Sequence, residues 1–155
     1  MSAALAEQAT PGQRPMEARQ LVERLEEFPW GEYGVEYVLL FGSAARGERA
    51  HDVDLGVRFA ERSYEAYLRL LEALAVHLGV REDHIDIVDL GREELPAELV
   101  MEIYTKGRLL YCRDLSAFLD EALRRVNVSY DFLIDCRKLR LLETALEAVR
   151  RSWER

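Results

Sequence analysis

The chain has 155 residues, 49% of them hydrophobic and 32% charged, with a formal net charge of -8. This length allows one domain with a real core, or a small domain plus a helical extension, and the composition excludes a largely disordered chain. The negative charge argues against unassisted duplex nucleic-acid binding, which needs Lys and Arg against phosphates, but permits a small anionic substrate delivered with a metal ion. Cys112 and Cys136 form no Cys-x-x-Cys pair and read as reduced thiols of a cytoplasmic protein. No apolar run is long enough to span a bilayer, and residues 1–14 lack the basic-then-apolar order of a secretion signal.

Residues 1–14 are small, polar and punctuated by Pro and Gly, so a flexible N-terminus is expected there. A helix is predicted from Pro15, with Leu21, Val22, Leu25 and Phe28 on one face and Pro29 ending it. Gly31 and Gly34 mark a turn before an apolar strand, Val35 to Phe41, whose lack of alternation suits a strand covered on both faces. In the next strand Val53, Leu55, Val57 and Phe59 alternate with Asp52, Asp54, Gly56 and Arg58, which puts both aspartates on the face opposite the core. Ser63 is the expected cap of a helix with a Tyr67, Leu68, Leu71, Leu74, Ala75, Leu78 stripe, and Gly79 its C-terminal stop.

His84 to Leu90 reads as a third strand and Glu94 to Thr105 as a short helix ended by Gly107. Leu109 to Tyr111 suits a short edge strand. From Asp114 the pattern is helical, with a break expected at Asn127-Val128-Ser129 and Ser129 capping a second helix. Leu139, Leu142, Leu146, Val149 and Trp153 make an apolar stripe near the end. The organisation expected is a flexible 1–14, a catalytic domain over 15–112 and a C-terminal helical extension over 113–155.

The chemistry concentrates in one strand–turn–strand segment. Gly42 lets backbone approach a phosphate, and Ser43 can cap a following helix turn or offer its hydroxyl to a phosphate oxygen. Asp52 and Asp54 repel each other unless neutralised, and magnesium, which favours one or two carboxylates with phosphate oxygens and water, is the natural counter-ion. A third carboxylate should come from the next strand, where Asp86 and Asp89 compete. Ile85 and Ile87 should face the core, so Asp86 points the other way and is preferred as ligand or general base; Asp89 suits a strand end. Two metals held by such a triad could clamp the attacking and leaving oxygens of an in-line displacement. Arg46 is placed to steady a triphosphate, and Gly47 to turn the loop back. His51 reads as a polar loop group, and His77 and His84 have no partner at metal-ligand spacing.

In order and spacing, Gly42-Ser43-x-x-Arg46-Gly47, Asp52-x-Asp54 and Asp86 within Ile85-Asp86-Ile87-Val88-Asp89-Leu90 resemble the minimal nucleotidyltransferase (MNT) family of the polymerase-β-type superfamily. The segment from Glu102 to Tyr111 and the helix after it are similar to the antitoxins of HEPN/MNT toxin–antitoxin pairs. The resemblance implies an α/β (α+β) nucleotidyltransferase fold: a small mixed sheet, helices on one face and a C-terminal helical extension. It also implies magnesium-dependent transfer of AMP from ATP to a tyrosine of a HEPN-domain toxin, with Gly42, Ser43 and Arg46 on the nucleotide and Asp52, Asp54 and Asp86 on the metal. Two features depart from the pattern: a shorter loop before Asp52, and His51 where Ser usually stands. The other readings are an antitoxin acting by contact alone and a nucleotidyltransferase for a small hydroxylated acceptor such as an aminoglycoside. The sequence leaves oligomeric state and nucleotide preference open.

Overall fold

A computed structural model of the protein describes residues 16–49, 51–138 and 141–154. The expected flexible segment 1–14, Pro15 and Leu139 lie outside the described residues. The elements in order are α1 (Ala18–Glu27), a 3-10 turn (Trp30–Tyr33), β1 (Val35–Phe41), β2 (Val53–Phe59), α2 (Tyr64–Leu78), a 3-10 turn (Glu82–His84) and β3 (Ile85–Asp89). Then come α3 (Ala97–Met101), a π-helical turn (Glu102–Lys106), β4 (Arg108–Cys112), α4 (Leu115–Lys138) and α5 (Leu141–Trp153).

The four strands form one mixed sheet in the order β3-β2-β1-β4. β1 pairs antiparallel with β2 and β4, and β2 pairs parallel with β3. Strand periodicity then sorts side chains between two layers. On one face Val38, Leu40, Val53, Leu55, Val57 and Ile85 pack against Leu21 and Leu25 of α1 and Leu70, Leu74 and Leu78 of α2. Ser63 caps α2, its hydroxyl accepting from the Ala66 amide, and Gly79 ends the helix at φ 68. Both roles follow from the sequence.

The two long helices α1 and α2 do lie on one face, but the opposite face is not left bare. Tyr37, Leu39 and Phe41 meet Leu90, Ile103 and Phe118 there, under α3, the π-helical turn and the start of α4. A register shift between Val35 and Tyr37 lets these residues of equal parity serve opposite faces. β2 shows its three outward positions in turn. Asp54 is partly buried, Gly56 lies under Ile103 and Leu90, and Arg58 pairs with Glu121 of α4. A Cβ on Gly56 would meet Ile103 Cγ2 at 3.0 Å and Leu90 Cδ1 at 3.1 Å. The missing side chain therefore seats the π-helical turn close to the sheet, next to Asp54.

One expected feature is corrected. There is no break at Asn127–Ser129: α4 runs unbroken from Leu115 to Lys138. Ser129 is buried inside it, on the seam of Phe118, Ala122 and Arg125, whose steps of four, three and four residues keep one helix face against the domain. The helical cost of Asn, Val and Ser is a few tenths of a kcal/mol each, roughly, so packing outweighs it. The terminal stripe is helical as read, but its described apolar members are unpacked: Leu146 is 70%, Val149 54% and Trp153 85% exposed.

Candidate active site

β1 ends at Phe41, which stands opposite Asp54 in the antiparallel pair, and the chain turns at Gly42 with φ 77. A Cβ on Gly42 would clash with Asp54 Oδ2. Only glycine satisfies both the left-handed backbone and this close approach. The expected helix after the turn does not form. Residues 43–47 are successive turns, with the Arg46 amide donating to the Gly42 and Ser43 carbonyls and the Glu48 amide to the Ser43 carbonyl. Ser43 therefore caps no helix; it sits half-buried at the head of a tight loop.

Across the parallel pair Asp54 stands opposite Asp86. The pairing brings the carboxylates of separate strands together, as the parity of Ile85 and Ile87 required. Asp54 is pushed up from 3.8 to about 6, first by burial, then by the charges of Asp86 and Asp52, a hydrogen bond with Asp86, and the charge of Glu102. Asp52 lies one step before β2, and its Oδ1 meets His84 Nδ1 at 3.1 Å. Asp89 is not in this group: it binds Arg62 Nε at 2.7 Å and accepts from the Gly91 amide at 2.9 Å, closing the end of β3.

Arg46 reaches the same neighbourhood, where it is held by acids rather than open. Its Nε lies 3.4 Å from Glu48 Oε1 and its Nη1 3.7 Å from Glu102 Oε1. Both partners are substantially exposed, so these pairs are weak and exchangeable. Sequence reading missed His84 and Glu102. A signal for His84 was present, because His84-x-Asp86 repeats the spacing of Asp52-x-Asp54 and parallel strands align equal spacings. Glu102 carried none; only the seating of the π-helical turn over Gly56 brings it near Asp54.

Among the described residues, no three His, Cys, Asp or Glu side chains converge closely enough, as they stand, to hold a metal ion. The donor set nonetheless suits magnesium. It offers hard carboxylate oxygens, one of them on a carboxyl that burial and nearby acids keep from ionising readily, and magnesium needs only one or two carboxylates when phosphates and water complete its shell.

A Gly-Ser turn set against paired aspartates on a mixed sheet defines a nucleotidyltransferase. The chain belongs to the polymerase beta nucleotidyltransferase family, whose model matches residues 23–116. A relative from Methanocaldococcus jannaschii, provisionally named a protein adenylyltransferase, is 35% identical over 74 residues, covering 44% of this chain and 74% of that protein. Two solved structures share the fold. A toxin–antitoxin with AMP-PNP matches at TM-score 0.58 and 19% identity, over 84% of this chain and 99% of that one. The MNT antitoxin complex with the tri-AMPylated HEPN toxin of Shewanella oneidensis matches at 0.54 and 18%, over 83% and 95%. No helix among the described residues is long and apolar enough to cross a membrane.

Proposed function

We propose that this protein transfers AMP from ATP to a tyrosine hydroxyl of a HEPN-domain toxin, with magnesium, and so acts as its antitoxin in the cytoplasm. The observation that carries the reading is Asp54 opposite Asp86 beneath the Gly42 turn. The adenylyltransferase relative supports the nucleotide, and the AMPylated HEPN complex of the structural neighbour supports the acceptor.

In this reading Asp52, Asp54 and Asp86 would hold magnesium, taken as two ions, which would supply charge neutralisation for the triphosphate and lower the pKa of the acceptor hydroxyl. The Gly42 backbone and the Ser43 hydroxyl seat phosphate oxygens, and Arg46 exchanges Glu48 and Glu102 for the triphosphate. Asp86 takes the tyrosine proton on a carboxylate oxygen. The phenolic oxygen then forms a bond to the α-phosphorus, the bond to the bridging oxygen breaks, and pyrophosphate leaves with that electron pair. Residues 15–112 form the transferase unit, and the 113–155 extension docks the toxin through its exposed apolar side chains, among them Leu119, Leu123, Leu146 and Val149.

The test is incubation with ATP, magnesium and a HEPN-domain protein, read by intact mass. Added AMP units on a toxin tyrosine, lost in Asp54→Asn, support the reading. Toxin neutralisation that survives Asp54→Asn would replace it with contact alone, and AMP appearing only on a small hydroxylated acceptor would replace the toxin as substrate. A Leu146→Glu, Val149→Glu double variant should keep its melting temperature and lose toxin capture.

A further inference from the structure

Arg125 lies in the interior half of α4 and is only 8% exposed. One of its terminal nitrogens donates to the Arg92 carbonyl at 2.8 Å. No carboxylate pairs with it among the described residues. Glu121, one turn earlier on the same helix, is already taken by Arg58 at 3.2 Å and by the Tyr37 hydroxyl at 2.6 Å. Among the described residues no fully buried side-chain nitrogen lacks a hydrogen-bond partner, so what remains of the Arg125 guanidinium opens to solvent, where an anion can reach it.

The same arginine lines a groove of about 580 Å³ between α4 and the segment leading into α3. Leu95, Val100, Val128 and Phe132 supply apolar walls, and the buried Ser129 lies beside Arg125. Glu93 and Glu94 also line it without pairing with Arg125. The volume is that of a small-molecule site. Arg124 lines the groove as well, so Glu93 and Glu94 are balanced by two arginines. A single carboxylate could reach the Arg125 guanidinium while an apolar stem lay along the walls. None of the residues assigned to metal or nucleotide lines this groove.

We propose that the α3–α4 groove is a binding site for a small monocarboxylate on an apolar stem, its carboxylate paired with the buried guanidinium of Arg125. The site is independent of the transferase reading and would stand without it.

Octanoate is the probe, titrated into the full chain and followed by amide chemical shifts of residues 97–100 and 125–132, with octanol and inorganic phosphate in parallel. Saturable octanoate binding, at least about tenfold tighter than either control, is the expected result, since only octanoate offers both a charge for Arg125 and a stem. Arg125→Lys should retain part of that preference and Arg125→Met should erase it. Phe132→Glu, at an exposed position on the groove wall, should abolish octanoate binding with the fold intact, so the test holds even if Arg125→Met fails to fold. Equal binding of octanol, equal binding of phosphate, or no saturable octanoate binding would each overturn the proposal.

Discussion

Asp54 stands directly across the parallel β2–β3 pair from Asp86, and burial together with the neighbouring negative charge raises the Asp54 carboxyl to about 6. The arrangement works against the stability of the metal-free protein and in favour of binding a cation.

The sign follows from linkage. Asp54 holds its proton more tightly in the folded chain, at about 6, than at the ordinary value of 3.8. Its contribution is therefore fully present below the lower value and is lost as pH rises through the upper one. Without divalent metal, Asp54→Asn should raise the melting temperature at pH 7.5 by roughly 2–4 °C, the shift that about 1 kcal/mol gives in a chain of this size once solvent screening of the half-exposed carboxyl is allowed for. The gain should vanish near pH 4. Magnesium should raise the melting point of the parent and not of the variant; a variant that melts lower at pH 7.5 would contradict the argument.

Gly42→Ala should cost both stability and activity. The new methyl would strike Asp54 Oδ2 and sit on a left-handed backbone. We expect a loss of about 1–2 kcal/mol from the backbone conformation alone. Nucleotidyl transfer should fall about a hundredfold, because displacement of a reacting group by an ångström costs that much. Urea unfolding and steady-state turnover would measure the two losses separately.

His84→Ala removes the partner of Asp52. Residues that orient metal ligands from behind typically contribute 10–100-fold to affinity or activity, so a drop of about tenfold in kcat/KM is expected. Higher magnesium should recover part of it. A variant with unchanged magnesium dependence would place His84 outside the site.

Tyr37→Phe should destabilise the protein without touching the aspartates. The Tyr37 hydroxyl lies 2.6 Å from the Tyr104 hydroxyl and 2.6 Å from Glu121 Oε1, joining the sheet to the π-helical turn and α4. Burial and the Glu121 hydrogen bond hold its ionisation far above the usual phenol range, so it stays neutral, donating its one proton to Glu121 and accepting from the Tyr104 hydroxyl. Leaving these buried partners short of a bond should cost about 1–3 kcal/mol in denaturant unfolding, with KM for ATP unchanged.

Local signals were read directly. The alternation of Val53 to Phe59 set the face of Asp54, the parity of Ile85 and Ile87 separated Asp86 from Asp89, and Ser63 and Gly79 marked the ends of α2. Such features are legible because backbone periodicity and capping act within a few residues. The break expected at Ser129 failed because a distant surface, α3, rewards a small residue on that helix face more than the local preference penalises it.

The sequence by itself determined which residues carry acid, that the chain turns at Gly42, and the two-residue spacing of Asp52 and Asp54. Only the tertiary structure decided the company they keep. His84 reaches Asp52 through the β2–β3 register, Glu102 reaches Arg46 because Gly56 has no side chain under the π-helical turn, and Arg125 is buried because α4 runs straight across the second core. Side-chain type and short-range periodicity are written along the chain, whereas these contacts join segments tens of residues apart and depend on how sheet and helices pack.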